Sequence, residues 1–414
     1  MYAEALAERR IFCSEKMVLK LGLVIMALAV FSGYNMPLDA YEARTILRGY
    51  IQENTMYKEQ SDDALFLLQK KWDEDLKEKY LNQKITKVDD GVVYVPIVKY
   101  INSRRIKINV AEINRNINKN LEIIPQMCSE KMHSRAKINN IAMLNGAILA
   151  INGTYFKQDT GTPLGALVIN NEIISGPIYE RVGLGIGKDS YETSRISFKG
   201  EIKTKGKTIK IDNINQPRML ASNVLIYTSK WGEKSPKTKT PSIHIAIKDD
   251  KVITKSTNPI FIPIDGYVIS APKDILADIK AGDNVKIDYS LSPRWNNIEH
   301  LISGGPYLIK NGEIFIDVSS EKLNAIAGRN PRTAIGYTKD NVLIMVTVEG
   351  RKEGSTGVTL KELAKLMKQL GCYEAINLDG GSSTVMYVDG KIYTGSNIKT
   401  SVAINNALVV RKKV

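Results

Sequence analysis

Residues 359–388 read TLKELAKLMKQLGCYEAINLDGGSSTVMYV, and this stretch sets the expectation for the fold. Thr359 with Glu362 three residues on is a capping box, in which side-chain and backbone groups exchange hydrogen bonds at a helix start. Leu360, Leu363, Ala364, Met367 and Leu370 recur at helical spacing, and Gly371 supplies the stop. Glu374–Leu378 then reads as a buried strand that delivers Asp379 to a loop, where function concentrates. Gly380 and Gly381 let the backbone turn sharply and approach a ligand, and Ser382, Ser383 and Thr384 follow with short hydroxyl donors. The exposed N–H groups of such a turn can form an anion nest.

Upstream, the texture is that of short strands. Val92–Val98 and Ile106–Ile113 are rich in branched residues, and 114–140 is Asn- and Lys-rich and reads as helix or loop. Asn170-Asn171, Asn311-Gly312 and Asp389-Gly390 each separate two apolar runs. These residues tolerate the positive φ of tight hairpin turns. Residues 230–242 read as an exposed loop. Between 42 and 82, Leu65, Leu68, Trp72, Leu76 and Tyr80 follow three- and four-residue steps among charges, which predicts a helix. The expected fold is α+β: a strand-rich mixed-sheet body with a few packed helices and an N-terminal helical extension.

The N-terminus reads as an address. Lys16 and Lys20 precede the apolar run Leu21–Phe31, which has the length of a signal-peptide core and is shorter than the roughly 20 residues that span a bilayer. Ser32, Gly33, Asn35 and Pro37 follow, with Ala40 as a cleavage position, and Met17 is an alternative start. The expected organisation is a signal peptide or anchor (1–40), a helical extension (41–84), an accessory segment (85–140) and a catalytic-type domain (141–414). Export places the chain outside the cell or in the envelope, touching membrane through its N-terminal segment alone.

The 414 residues are 43% hydrophobic and 25% charged, which fits a globular chain with a sizeable core. The net charge of +14 draws the protein to anionic partners: a sugar-phosphate or an anionic envelope polymer. Nucleic acid is excluded as a partner by export and by the lack of a dense basic tract with interleaved aromatics. Cys13, Cys128 and Cys372 form no CxxC pair, and His133, His244 and His300 are scattered, which argues against a Cys/His zinc site. Cys128 and Cys372 allow one disulfide.

Four segments carry candidate chemistry. Asn152-Gly153-Thr154-Tyr155-Phe156 follows an apolar strand, with an amide for sugar hydroxyls and aromatics for a ring. Gly304-Gly305-Pro306-Tyr307 opens a hairpin. Arg329–Ala334 leads into a strand ending at Glu349-Gly350-Arg351, so Arg332 and Arg351 offer paired donors for phosphate. Asn377–Thr384 is the fourth. Glycosidic cleavage normally uses two carboxyl groups, and Glu349 with Asp379 is the candidate pair. His300 lies four residues before Gly304 and is a lesser candidate. A serine nucleophile at Ser382 or Ser383 is a rival reading, although no G-x-S-x-G elbow occurs. A non-catalytic module that binds anionic polymer is another.

In order and spacing, these segments resemble the phosphodiester glycosidase family over about 140–411, most strongly over 303–390. The resemblance implies hydrolysis of a sugar-1-phosphodiester, N-acetylglucosamine-type favoured. It carries over Asn152, Arg332 and Asp379 by position, and places Glu349 where members commonly have Asp. Thr154 and Ser382 stand where Gly is common. Tyr155, Gly304, Gly305, Arg351, Gly380, Gly381, Ser383 and Thr384 complete the expected binding set. No cofactor is required by the sequence, and a divalent cation is compatible with a phosphate substrate.

Overall fold

The computed structural model describes residues 63–395 and 402–413. The expected signal peptide and the first part of the helical extension lie outside the described residues. The chain divides into two units, Met1–Lys70 and Lys71–Val414. In the first, residues 63–70 are described and helical. The second unit carries the sheets.

That second unit is mostly β, so its helical share is smaller than an α+β reading implies. Its described α-helices are 71–79, Ile138–Leu144 and Leu360–Gln369. An eight-stranded sheet runs through it, ordered 86–89, 92–101, 104–113, 343–348, 332–337, 374–377, 307–310, 313–314. The strands Arg332–Tyr337 and Leu343–Val348 are buried almost throughout because both faces of this sheet are covered. On one face Leu363, Ala364 and Met367 of the 360–369 helix pack with Trp72, Leu76 and Tyr80. On the other, Val92, Ile113, Ile335, Met345 and Ile376 meet inward residues of two five-stranded sheets, among them Leu149, Ile151, Met386, Leu408, Leu184 and Ile302. Pairing is antiparallel apart from Asn213–Ile214 with Leu225–Tyr227, so the described sheets are less mixed than expected.

Local chemistry explains the elements. Thr359 accepts from the Glu362 amide and Glu362 returns a bond to the Thr359 amide, closing the capping box. The three hairpins form at the expected turns, with φ of 50° and 63° at Asn170 and Asn171, 53° at Asn311 and 42° at Asp389. Residues 92–113 form one long hairpin, which the 104–113 strand joins to Leu343–Val348. The 114–140 stretch, read as helix or loop, also holds the strand Leu121–Met127, which pairs with Asn406–Lys412. The branched residues of Leu121–Met127 are buried in the core, and that tertiary burial outweighs the polar composition around them. Cys128 and Cys372 are both free thiols.

Candidate functional site

Antiparallel register brings the start of 332–337 beside the end of 343–348 (Arg332 opposite Val348), and Ala334 opposite Asn377. Asp379 therefore emerges at the same end of the sheet as Arg332 and Arg351. The strand Ala147–Asn152, from a neighbouring sheet, ends at the same place. Asn152 joins the two sheets. Its Oδ1 accepts from the Thr333 hydroxyl at 2.6 Å and from the Val385 amide at 3.1 Å, and its Nδ2 donates to the Asp379 carbonyl at 2.7 Å.

A pocket of about 260 Å³ opens here, lined by Tyr155, Phe156, Gln158, Ala325, Ile326, Asn330, Arg332, Arg351, Asp379 and the loop 380–383. Among the described residues, Asp379 is the carboxylate that lines it. Asp379 keeps some surface toward the pocket yet is crowded by protein. Burial pushes its carboxyl up to about 6, against hydrogen bonds from Ser383 and the Gly380 amide that favour the ionised form. The Gly380 amide lies 2.9 Å from Asp379 Oδ1.

The two arginines differ. Arg332 is buried, and it donates through Nε to the Val358 carbonyl at 3.2 Å and through Nη2 to the carbonyls of Ile326 and Gly328. Its Nη1 amino group is the part not spent on these carbonyls. Burial lowers its pKa to about 10, so it remains a cation at neutral pH. Arg351 is exposed, takes a left-handed backbone (φ 55°) and donates to the Asn330 side chain. Beside it, Gly381 takes a left-handed backbone (φ 63°) that favours glycine, and a Cβ there would make only ordinary contact with Arg351 Nη1 at 3.5 Å.

Tyr155 is fixed at the wall. Its hydroxyl donates to the Gly305 carbonyl at 2.9 Å and accepts from Asn377 Nδ2 at 2.8 Å. Burial pushes that hydroxyl far up, so it stays protonated. Gly304 and Gly305 do not line the pocket. Their amides bond the carbonyls of Val182 (2.9 Å) and Asn377 (2.7 Å), and a Cβ on Gly305 would come within 2.2 Å of Glu321 Oε2. Thr384 also sits behind the pocket, its hydroxyl buried without a hydrogen-bond partner.

The structure thus brings Tyr155, Arg332, Arg351, Asp379, Gly380, Gly381, Ser382 and Ser383 together. It holds Asn152, Gly304, Gly305 and Thr384 behind them. Glu349 is placed elsewhere: its carboxylate meets Lys352 at 2.7 Å and does not line the pocket. Both residues sit near a strand end, but the chain turns at Gly350 and carries Arg351, not Glu349, toward the pocket. The anion nest expected from the Gly-Gly turn is largely closed, because the amides of Gly380, Gly381, Ser383 and Thr384 all bond within the protein. No histidine lines the pocket. His300 Nδ1 accepts from the Asn170 amide at 3.0 Å, and His133 Nδ1 lies 2.9 Å from Thr162 Oγ1. Ser382 and Ser383 therefore have no imidazole base there. Among the described residues no cluster of three His, Cys, Asp or Glu is placed to hold a metal ion. Likewise among them, no helix is long and apolar enough to cross a membrane.

Gln158, Ala325 and Ile326 join the lining without a sequence signal, and Asn330 joins it from the candidate segment Arg329–Ala334. The others are ordinary residues that folding alone brings to the wall.

Residues 241–411 match the model of the family described as phosphodiester glycosidase. The chain is 41% identical over 63 residues to a Bacillus subtilis SPbeta prophage-derived uncharacterized protein, YomE, covering 15% of this chain and 10% of that one. It is 32% identical over 111 residues to the Mus musculus N-acetylglucosamine-1-phosphodiester alpha-N-acetylglucosaminidase, covering 23% of this chain and 21% of the enzyme. The chain thus matches only 10% and 21% of the length of these two relatives. A crystal structure of a hypothetical protein from Synechocystis shares the fold with a TM-score of 0.74 at 23% identity, covering 80% of this chain and 64% of that one.

Proposed function

We propose, from the premise that residues 241–411 belong to the phosphodiester glycosidase family, that this chain hydrolyses the glycosidic bond of a sugar-1-phosphodiester in the pocket between Asp379 and Arg351. One observation carries the reading: a crowded carboxylate and two guanidinium groups share one small pocket. The phosphate lies against Arg351, with the Arg332 Nη1 group behind it. The sugar lies against Tyr155 and Asp379.

The chemistry explains why one carboxylate suffices. The C1–O bond to phosphorus's oxygen breaks, and its electron pair stays on that oxygen. The product is a phosphate monoester, whose second pKa is about 6, so it departs without a proton donor. The guanidinium charges stabilise the charge that develops there. A water oxygen adds to C1 and gives its proton to the Asp379 carboxylate. With its pKa near 6, Asp379 is a stronger base than an ordinary aspartate and is ionised at neutral pH.

The apolar lining of Phe156, Ala325 and Ile326 suits the methyl of an acetamido sugar, which favours an N-acetylglucosamine-type substrate. The basic and apolar order of residues 16–31 supports export, and the charge of +14 supports an anionic substrate of the envelope or an exopolysaccharide. A second reading is a non-catalytic module that binds anionic polymer, favoured by the position of Glu349 away from the pocket. Incubating the protein with a panel of sugar-1-phosphodiesters and measuring free reducing sugar decides between them. Release by the wild type and none by Asp379→Asn supports hydrolysis. A folded protein that binds anionic polymer and releases no sugar points to the module.

A further inference from the structure

The hairpin 92–113 lies outside the 241–411 family match, yet its second strand stands beside the 349–355 loop that carries Arg351. Lys99 Nζ donates to Gln369, and Asn102 Nδ2 donates to Glu362 at 3.2 Å, so the tip rests on the 360–369 helix. The Lys107 amide donates to the Ser355 hydroxyl at 3.1 Å, and the Glu349 amide donates to the Lys107 carbonyl at 2.9 Å. A Cβ on Gly354 would lie 2.8 Å from Arg105 Nη1 and 3.8 Å from Lys107 Cε. Arg351, three residues earlier on that loop, lines the pocket. Three residues of chain span at most about 10 Å, so the backbone at Gly354, which Arg105 and Lys107 flank, lies within that reach of the Arg351 backbone.

The face they share is specific. Tyr100 pairs with Arg105 and Val98 with Lys107, and directly paired residues of antiparallel strands point to the same side. Tyr100 is 68% exposed and Val98 48% exposed, although large apolar groups normally seek cover. Arg105 and Lys107 meet no carboxylate at salt-bridge distance among the described residues, while the nearby Glu349 is neutralised by Lys352. Glu353 is the acidic residue at the loop tip, and Arg351, Arg105 and Lys107 outnumber it.

We propose that Tyr100, Arg105 and Lys107 extend the site as a strip for a polyanionic chain, so that the preferred substrate is a polymer of sugar-phosphate repeats. This rests on the glycosidase reading for the pocket and adds the class of substrate beyond the scissile phosphate. Successive phosphates meet Arg351 and then Arg105 and Lys107. An intervening sugar lays its C–H face on the electron-rich ring of Tyr100. The charges are opposite in sign and so attract, and the aromatic ring distinguishes a sugar-bearing polymer from a bare polyphosphate.

The test uses the full chain and two substrates of one sugar: a methyl α-1-phosphodiester and an oligomer of sugar-1-phosphate repeats. The KM for the oligomer is expected about tenfold lower, and the gap should close as sodium chloride rises from about 50 to about 500 mM, because added salt shortens electrostatic reach. Tyr100→Ala combined with Arg105→Ala changes exposed side chains. It should abolish the preference and leave kcat/KM for the methyl diester within about twofold, since neither residue lines the pocket that holds the small substrate. Equal KM values for the two substrates, or a preference that survives the double substitution, overturns the strip. Binding of fluorescent oligomer to the Asp379→Asn protein, with and without the double substitution, separates this inference from the catalytic one. If the wild type turns over neither substrate but the double substitution still weakens oligomer binding about tenfold, the strip stands and the glycosidase reading falls. If it leaves binding unchanged, the strip falls.

Discussion

The Asn152 side chain holds the backbone carbonyl of Asp379 at 2.7 Å, a bond between residues 227 positions apart. The same amide oxygen accepts from Thr333 and Val385, so one buried side chain fixes the start of one strand, the start of another and the loop that bears the carboxylate. Asn152 acts through Asp379 as a positioning residue.

Replacing Asn152 by Ala leaves two buried donors and a carbonyl without partners. Unsatisfied buried groups cost about 1–3 kcal/mol each, so a clear fall in thermal stability is expected. Asn152→Asp keeps the accepting oxygen and loses the donor to Asp379. Its kcat should fall while KM for a sugar-1-phosphodiester stays near the wild-type value, with steady-state kinetics as the check.

If Asp379 is the base proposed above, Asp379→Asn should lower kcat/KM by about 10²–10⁴-fold. The wild type should lose activity as pH falls through about 6, where the carboxylate takes up a proton. The same shift acts on stability with the opposite sense. The folded pKa lies above the unfolded value of 3.8, so folding is penalised as pH rises from 3.8 through about 6, and the penalty is absent at lower pH. Asp379→Asn should therefore raise the Tm at pH 7.5 and not at pH 3.5. Equal Tm changes at both pH values would show that the carboxylate is not strained by burial.

Glu349→Gln tests the two-carboxylate expectation. Because Glu349 meets Lys352 in a largely buried ion pair and does not line the pocket, Glu349→Gln should lower thermal stability while kcat/KM stays within about threefold of wild type. A loss approaching that of Asp379→Asn would restore Glu349 as a catalytic group.

Arg351→Ala should raise KM and lower kcat together, by about 10²-fold in kcat/KM, since in the proposed reaction it removes an exposed donor to the phosphate whose contact strengthens as charge develops. Arg351→Lys keeps the charge without the fork and should recover part of the loss. Arg332→Lys should act differently. It breaks bonds to the carbonyls of Val358, Ile326 and Gly328, so protease sensitivity near residues 323–330 should rise along with the loss of rate.

Packing on the covered sheet gives a test of the fold itself. Leu363 is fully buried between the helix and the eight-stranded sheet, and Leu363→Ala should cost about 2–5 kcal/mol in denaturant unfolding.

Much of this was legible in the sequence because it is local. The capping box at Thr359 and Glu362, the stop at Gly371 and the three Asn, Asp and Gly turns depend on neighbours within a few residues. Backbone sterics and short-range hydrogen bonds decide them wherever they occur. Asp379 at a strand end belongs to the same class, because the apolar run before it and the glycines after it are contiguous.

Tertiary structure alone decided what faces the pocket. Glu349 and Arg351 are two residues apart just past the strand that ends at Val348, yet one meets Lys352 and the other lines the cavity. Asn152, which the sequence offers as a sugar ligand, is spent on Thr333, Val385 and Asp379. Gly304 and Gly305 serve close backbone packing. For Asn152 the partners lie 181, 227 and 233 residues away in sequence. The direction of a side chain after a turn depends on register and on which sheet meets which, and that information is distributed over the whole core.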